Sequence, residues 1–595
     1  MRADNTMAET GMLAMIEGSG FELLFPEYKS RGIQRLLGDL PIKAGLTIVE
    51  SDTGSGKTEF ALAYVSMLIH NGLADGVVFG LPTQTTANGL FARIGNAVDK
   101  SFPDSCVTLA HGKAKYNPEY FVPDENGFLK QSNKRTFLGS MSVATVDQIL
   151  MGVLPMRHMF VRAFETRKSV LILDENHSFD AYMNALVECV LKGQHDAFSS
   201  VILLSATLPL ALKSKLISTY AGKSSGNQYP LLTHVGLMGE TTTLSVLDSI
   251  TPKTVRRELW WSNNLLPNAE QCRQLIDWAE QGAMVAVICN TVQDAQFLHS
   301  TLSKQTALSI DLFHARYTIA DPIKIERAVL NKYGKNAPRS GGLLIATQVA
   351  EQSLDLDFDV LVSEIAPIEF LLQRMGRLWR YGRSSGNVHL ATRTTQISAP
   401  LLITLCPNQL YSSGDIRSLY GSSGYVYKNI RALYRSQQYM EGQSIVVFPD
   451  CYRRALDFVP QDESYGSESA ELSILAERFK IEEEGRVYAA KGLSNQQSKP
   501  LKDVDTRAAL LTRDGEMSRS VVLFSEPNKL LYGEDYEEQA DREFNTVSLS
   551  KKWRNVHLMS NTIVIGQLLG KVFFIINWEC LIFVFSRLST QIKEE

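Results

Sequence analysis

GLTIVE at residues 45–50, SDTGSGKT at 51–58 and EFALAYVSMLIH at 59–70 form one continuous stretch that decides how this chain folds. The first six residues are an apolar run of strand length, and the last twelve have helical composition. The turn between them is rich in glycine and ends in Gly-Lys-Thr. Gly54, Ser55 and Gly56 make a loop whose backbone amides can fold around phosphate oxygens. Lys57 places a positive charge on the β- and γ-phosphates, the Thr58 hydroxyl suits Mg²⁺, and the helix N-terminus faces the anion. The phosphate-loop pattern asks for Gly at its first position, where this chain has Ser51.

Working outward, similar apolar runs recur: GVVFGL (76–81), SVLILD (169–174), SVILLS (200–205), AMVAVICN (283–290), GGLLIAT (341–347) and DVLVSEI (359–365). Val/Ile/Leu strands of this kind, spaced by helix-length segments, predict parallel sheets covered on both faces. The class is α/β, with enough strands for two sheets. The polar AGKSSGNQYP (221–230) marks a boundary. The reading places one domain over 1–235, a second over 236–400, a linker over 401–465 and a smaller C-terminal accessory domain over 466–595.

The composition is that of an ordinary globular chain: 595 residues, 44% hydrophobic, 21% charged, formal charge -4. It excludes disordered, collagen-like and histone-like polymers, while leaving room for local basic patches. Seven cysteines are scattered singly, with no CxxC pair and no zinc-ligand spacing, which suits a reducing cytoplasm. The N-terminus lacks a signal-peptide pattern. The most apolar stretch, 563–585, is interrupted by Lys571, Asn577 and Glu579, so buried strands are expected there and a membrane span is not.

Behind the phosphate loop, Asp174-Glu175-Asn176-His177 ends the strand SVLILD. An aspartate there can hold the Mg²⁺ hydration shell, and the adjacent glutamate can orient and deprotonate a water. Ser205-Ala206-Thr207 closes another strand. TQVAEQSLD (347–355) and QRMGRLWR (373–380) follow in the second half. Gln34, behind Phe25 and Tyr28, is a candidate adenine-reading residue.

Six such patterns in one order resemble superfamily 2 DExH helicases over about residues 25–385. The resemblance implies two tandem RecA-like domains with ATP between them. Lys57, Thr58, Asp174 and Glu175 would come from the first. Gln373 on the nucleotide side, with Arg377 and Arg380 on the transferring phosphate, would come from the second, and Arg374 would be structural. It further implies nucleic-acid contacts at Thr83, Gln84, Arg93, Thr145, Thr347 and Gln348. Hydroxyl, amide and guanidinium groups at strand ends suit sequence-independent phosphate gripping.

SDTGSGKTE, LPTQTTANGLFAR, LAHGKA, DENHSFDAYMN, DLFHARYTIADP and LIATQVAEQSLDLDFD together resemble the CRISPR-associated helicase–nucleases of type I systems. The branch recruited by the Cascade surveillance complex matches best, with TRDGEMS (512–518) and KKWR (551–554) included. That family implies a 3′→5′ translocase on the displaced DNA strand, driven by ATP and Mg²⁺. Fused members carry an HD-type metal nuclease domain ahead of the helicase. Here the first histidine is His70, and the one adjacent His-Asp pair, His195-Asp196, stands alone. The expectation is a chain that does not itself cut DNA and has no membrane role: either the nuclease is a separate subunit, or this is the helicase portion of a split or damaged gene. A general DExH helicase on RNA or repair intermediates, and a fragment that binds DNA or Cascade without unwinding, are the alternatives. Ala144 stands where the family usually has Gly, and Asn176 where it usually has an aliphatic residue.

Overall fold

The computed structural model describes most residues from 20 to 494 and, beyond them, five backbone strands. The longest stretches outside this description are 1–19, 95–106, 115–136, 460–467, 495–517, 531–545, 551–564 and 576–595, so KKWR (551–554) and most of TRDGEMS (512–518) lie outside it, as do the shorter 315–320, 384–390 and 408–415 and the residues Thr53, Arg93, His177 and Ser178. The described residues divide into two units.

The first unit is built on an eight-stranded sheet. Its strands are β1 (Gly45–Glu50), β2 (Val77–Leu81), β3 (Val107–Ala110), β4 (Met141–Thr145), β5 (Val170–Asp174), β6 (Val201–Ser205), β7 (Leu231–Gly236) and β8 (Thr241–Ser245). They lie in the order β3-β4-β2-β5-β6-β1-β7-β8. The β3-to-β1 part is parallel, and β7 turns back antiparallel on β1. β1, β2 and β6 are buried along their whole length, as strands covered on both faces must be. One apolar cluster gathers Phe60, Tyr64 and Leu68 of the helix Lys57–His70 under the sheet, and a second gathers Leu186, Leu191 and Tyr220 on the other face.

The second unit has a seven-stranded sheet. Its strands are β9 (Lys253–Trp261), β10 (Met284–Ile288), β11 (Ile310–Phe313), β12 (Gly342–Ala346), β13 (Val360–Glu364), β14 (Leu401–Cys406) and β15 (Ile445–Phe448), ordered β11-β12-β10-β13-β14-β9-β15. Its β11-to-β9 ladder is parallel throughout. After it come β16 (Ser518–Glu526), β17 (Lys529–Leu530), β18 (Thr546–Ser550), β19 (Ile565–Leu568) and β20 (Lys571–Ile575), which form a further sheet. β19 and β20 put strands in the apolar 563–585 stretch. No helix among the described residues is long and apolar enough to cross a membrane.

The α/β class and the doubled parallel sheet match the sequence reading, but the boundaries differ. The first sheet continues past 235 through β8, and the first unit runs to Lys253. Residues 401–465 are not a linker. They supply β14 and β15 to the second sheet, whereas the described part of 447–465 belongs with the first unit, as does that of 477–515. The physical reason is burial: β14 is fully buried between β13 and β9, and Tyr452 and Ala455 are core residues. A turn-rich composition between such elements does not reveal that they return to a sheet already formed.

Candidate active site

In the first unit, the phosphate loop follows β1, Asp174-Glu175 ends and follows β5, and Ser205-Ala206-Thr207 ends and follows β6. Because β5, β6 and β1 are consecutive in the sheet, these segments lie side by side at its carboxyl edge. That edge is where open α/β sheets bind ligands. β6 splints the other two: Ser51 N–H donates to Ser205 O at 3.1 Å, and Glu175 N–H donates to Leu204 O at 3.0 Å.

The loop has the backbone its sequence calls for. Gly54 and Gly56 have φ of 85° and 87°, in the left-handed region that suits glycine. A Cβ on Gly56 would stand 2.1 Å from Gln34 Nε2, so a larger residue would displace that amide as well as strain the left-handed backbone. Lys57 is buried, and its ammonium donates to Ser51 O at 2.7 Å and Asp52 O at 2.9 Å, curling back over the loop. Ser55 Oγ is buried without a hydrogen-bond partner. A curled ammonium and an orphaned hydroxyl inside a loop of positive-φ glycines fit a phosphate-bearing ligand. Thr58 is the second residue of the helix and half-buried.

Gln34 lies on this loop, in a 3₁₀ segment Gly32–Asp39. Its amide donates to Gly56 O at 3.2 Å and its oxygen accepts from Arg31 N–H at 3.1 Å, while Arg31 Nη2 donates to Gly54 O at 3.3 Å. Asp174 accepts from the Glu175 N–H at 2.9 Å. Glu175 has φ of 55°, a conformation costing a non-glycine residue about 1–3 kcal/mol and typical of functional sites. Asn176 is fully buried, and neither end of its amide has a partner.

The residues considered for nucleic acid are less uniform. The Thr83 hydroxyl takes part in a reciprocal turn with Thr86, accepting from the Thr86 N–H at 3.2 Å, and Gln84 is exposed. Thr145 ends β4 and is buried, and Arg93 is outside the described residues. In the second unit Thr347 is buried, and Gln348 Nε2 donates to Asn290 O at 2.8 Å. His195 Nε2 lies 3.0 Å from Leu237 O with its ring edge-on to Tyr220, so a packing role accounts for the His195-Asp196 pair.

QRMGRLWR forms the helix Ile368–Met375 and the turn after it, within the second unit. Gln373 is buried. Arg374 is fully buried and bonds to Glu351, Ser363, Glu364 O and Asn290, a structural role as expected. Arg377 is buried too, donating to Leu354 O at 2.7 Å and to Glu351 O at 2.5 Å. Arg380 is the more accessible of the two: its Nη2 meets the half-exposed Asp355 at 2.7 Å. Its backbone N–H is anchored on Asp357 Oδ1 at 2.9 Å.

Two polar clusters in this unit were not visible beforehand. Asp357 and Asp359 are buried among Arg339, Arg383 and Arg393, with contacts from 2.5 to 3.4 Å. Glu364 accepts from Asn290 N–H at 2.9 Å and from the Ser423 hydroxyl at 3.2 Å. Burial first, then the Asp294 charge, pushes its carboxyl up to about 8 from an ordinary 4.5. Glu364 therefore keeps its proton in the folded chain, and loses it in the unfolded chain, between pH 4.5 and about 8. Stability contributed by this group falls as pH rises through that window. Urea unfolding of Glu364→Gln should show the variant gaining on the wild type from pH 5 to pH 8.5. A gap independent of pH would contradict this.

The sheet order and the loop chemistry define the class: an α/β chain with tandem RecA-like sheets and a phosphate-type loop. A family model described as "CRISPR-associated nuclease/helicase Cas3, C-terminal" matches residues 281–383. The CRISPR-associated endonuclease/helicase Cas3 of Escherichia coli K12 is 37% identical over 562 residues, covering 89% of this chain and 61% of that protein. The crystal structure of T. fusca Cas3 superposes with a TM-score of 0.79 at 24% identity, covering 97% of this chain and 70% of that one. Its ADP form gives 0.77 at 25% identity, covering 92% and 67%. The chain is thus similar to Cas3 nuclease/helicases over most of its own length. It spans about three fifths of the length of the E. coli relative.

Proposed function

We propose that this chain is an ATP-driven motor on single-stranded DNA, acting in type I CRISPR interference. The carrying observation is the side-by-side placement of the Lys57 loop, the Asp174-Glu175 pair and the end of β6 on three consecutive strands. The names of the curated relatives, all CRISPR-associated, support the biological setting. The ADP form of a 25%-identical structure supports a nucleotide as the ligand.

In this reading Lys57 leaves its two carbonyl contacts for the β- and γ-phosphates, and the amides of Gly54–Gly56 cradle them. Thr58 and Asp174 would hold Mg²⁺, which neutralises charge on the phosphate oxygens. Glu175 orients the attacking water and accepts its proton. Arg380, with Arg377 behind it, supplies the guanidinium charge for the transferring phosphoryl group. Gln34 reads the adenine from its seat on the loop, and Gln373 lies on the nucleotide side. Thr83, Gln84, Arg93, Thr145, Thr347 and Gln348 serve the strand. A Cascade-type complex is the partner this reading calls for.

The test is phosphate release by the full chain with and without single-stranded DNA, and with RNA of the same sequence. Strong stimulation by DNA is expected, with RNA much weaker. Stimulation by RNA alone would favour a general DExH helicase, and hydrolysis indifferent to either strand would overturn the motor reading.

A further inference from the structure

Tyr229 lies in the connection between β6 and β7 of the first sheet and is almost completely buried. Its hydroxyl donates to Ala206 O at 2.9 Å, one residue beyond the end of β6. That strand end is the splint already described, bonded on one side to Ser51 and on the other to Glu175. Tyr229 is held in turn by the helix Cys451–Phe458, which the chain reaches only after completing the second sheet. The Tyr229 and Tyr452 rings stack at 4.4 Å, and the Arg453 guanidinium lies 6.0 Å from the Tyr229 ring centre.

Arg453 makes two further contacts. It donates to Leu208 O at 3.3 Å and forms an ion pair with Glu50, the last residue of β1 before the phosphate loop. Glu50 also holds Lys213 at 2.6 Å, on the helix Leu210–Ser218 that follows β6. A single helix therefore grips both segments that the nucleotide site depends on. Burial first, then the charges of Asp52, Cys451 and Glu175, push the Tyr452 phenol well above the usual tyrosine range.

We infer that Tyr229, Tyr452 and Arg453 form a positioning brace that fixes the end of β6, and with it the orientation of Glu175. The inference rests on the hydrolytic reading of this site. The phosphate loop has supports of its own, since β1 pairs with β6 over Leu46–Glu50 and with β7 over Gly45–Glu50. Glu175 is placed differently: it lies beyond β5, in a left-handed conformation, and its N–H leans on β6. Loosening the brace should therefore impair turnover more than nucleotide binding.

The test is steady-state ATP hydrolysis by the full chain with saturating single-stranded DNA, with thermal midpoints recorded alongside. Tyr229→Phe keeps the stacked ring and removes one hydroxyl. A hydrogen bond of about 1–1.5 kcal/mol corresponds to roughly a tenfold loss of kcat, with KM for ATP within about twofold. Arg453→Met should lose kcat in the same way, and Arg453→Lys, which keeps the charge on Glu50, should recover part of it. Should Arg453→Met fail to fold, Tyr229→Phe decides alone. A folded Tyr229→Phe with wild-type kcat would overturn the brace, as would a loss confined to KM. A wild-type chain that hydrolyses no ATP under any condition would instead sink the hydrolytic reading, and the brace with it.

Discussion

Lys57→Ala is expected to lower ATP turnover by about 10²–10³-fold while leaving the chain folded. The lysine is the second-to-last residue of the Gly-Lys-Thr turn and the first residue of its helix, buried against the loop it serves. Its ammonium now bonds to Ser51 O and Asp52 O, two acceptors that a phosphate oxygen would outbid through full charge. Alanine removes that charge from a site with no other lysine placed on the loop. The sheet beneath is untouched, because β1 is held by β6 and β7 through its backbone. Arginine should not restore activity, since a planar fork cannot replace a compact ammonium in so narrow a turn. Phosphate release with saturating DNA is the measurement, with far-ultraviolet circular dichroism as the folding control. Retention of more than a tenth of the wild-type rate would show that the phosphates bind elsewhere.

The second large effect concerns stability. Asp357→Ala should cost about 3–5 kcal/mol, because it strands buried arginines without their counter-charge. Asp357 is fully buried and accepts from Arg383 Nε at 2.6 Å, Arg393 Nη2 at 2.9 Å and Arg339 Nη1 at 3.4 Å. Among the described residues, only Asp359 would remain as a carboxylate partner, for Arg339 and Arg393, and Arg383 would have none. Measured against the roughly 5–15 kcal/mol that holds a domain together, this is a large share. Guanidinium unfolding of the full chain should show one transition moved and the other kept, because the aspartate lies wholly within the second unit. Arg380 loses its backbone anchor in the same substitution, so whatever turnover survives should be lower than stability alone predicts. A shift below about 1 kcal/mol would mean that water reaches this cluster and screens it.

The parts of the site read from sequence are those whose chemistry is local. The phosphate loop needs its glycines, lysine and threonine within eight residues, so GLTIVESDTGSGKT announces it. The acidic pair after SVLILD and the arginines of QRMGRLWR are equally short-range. Even Arg374 could be set apart as structural, and its burial among Glu351, Ser363 and Asn290 agrees. What escaped is long-range. Glu50 and Arg453 are separated by 403 positions, and no periodicity links a glutamate at a strand end to an arginine in a helix. The alternating aspartates of LDLDFD did carry a signal: charges recurring next to an apolar strand, with arginines following, hint at a buried pairing. The left-handed φ of Glu175 and Trp379 was likewise illegible, since neither residue type favours it.

The return of the helix Cys451–Phe458 to the first unit also sets an order of assembly during synthesis. A growing chain that has reached Lys253 already contains all eight strands of the first sheet, and Glu50 can find Lys213. Arg453 is then still about two hundred residues from being made, which at about 5–20 residues per second is a wait of roughly 10–40 s. For that interval the nascent sheet carries Tyr229 without Tyr452, its stacking partner, and Glu50 without its second cation. Until that helix arrives, the end of β6 and the last residue of β1 lack the contacts that Tyr452 and Arg453 make in the finished chain.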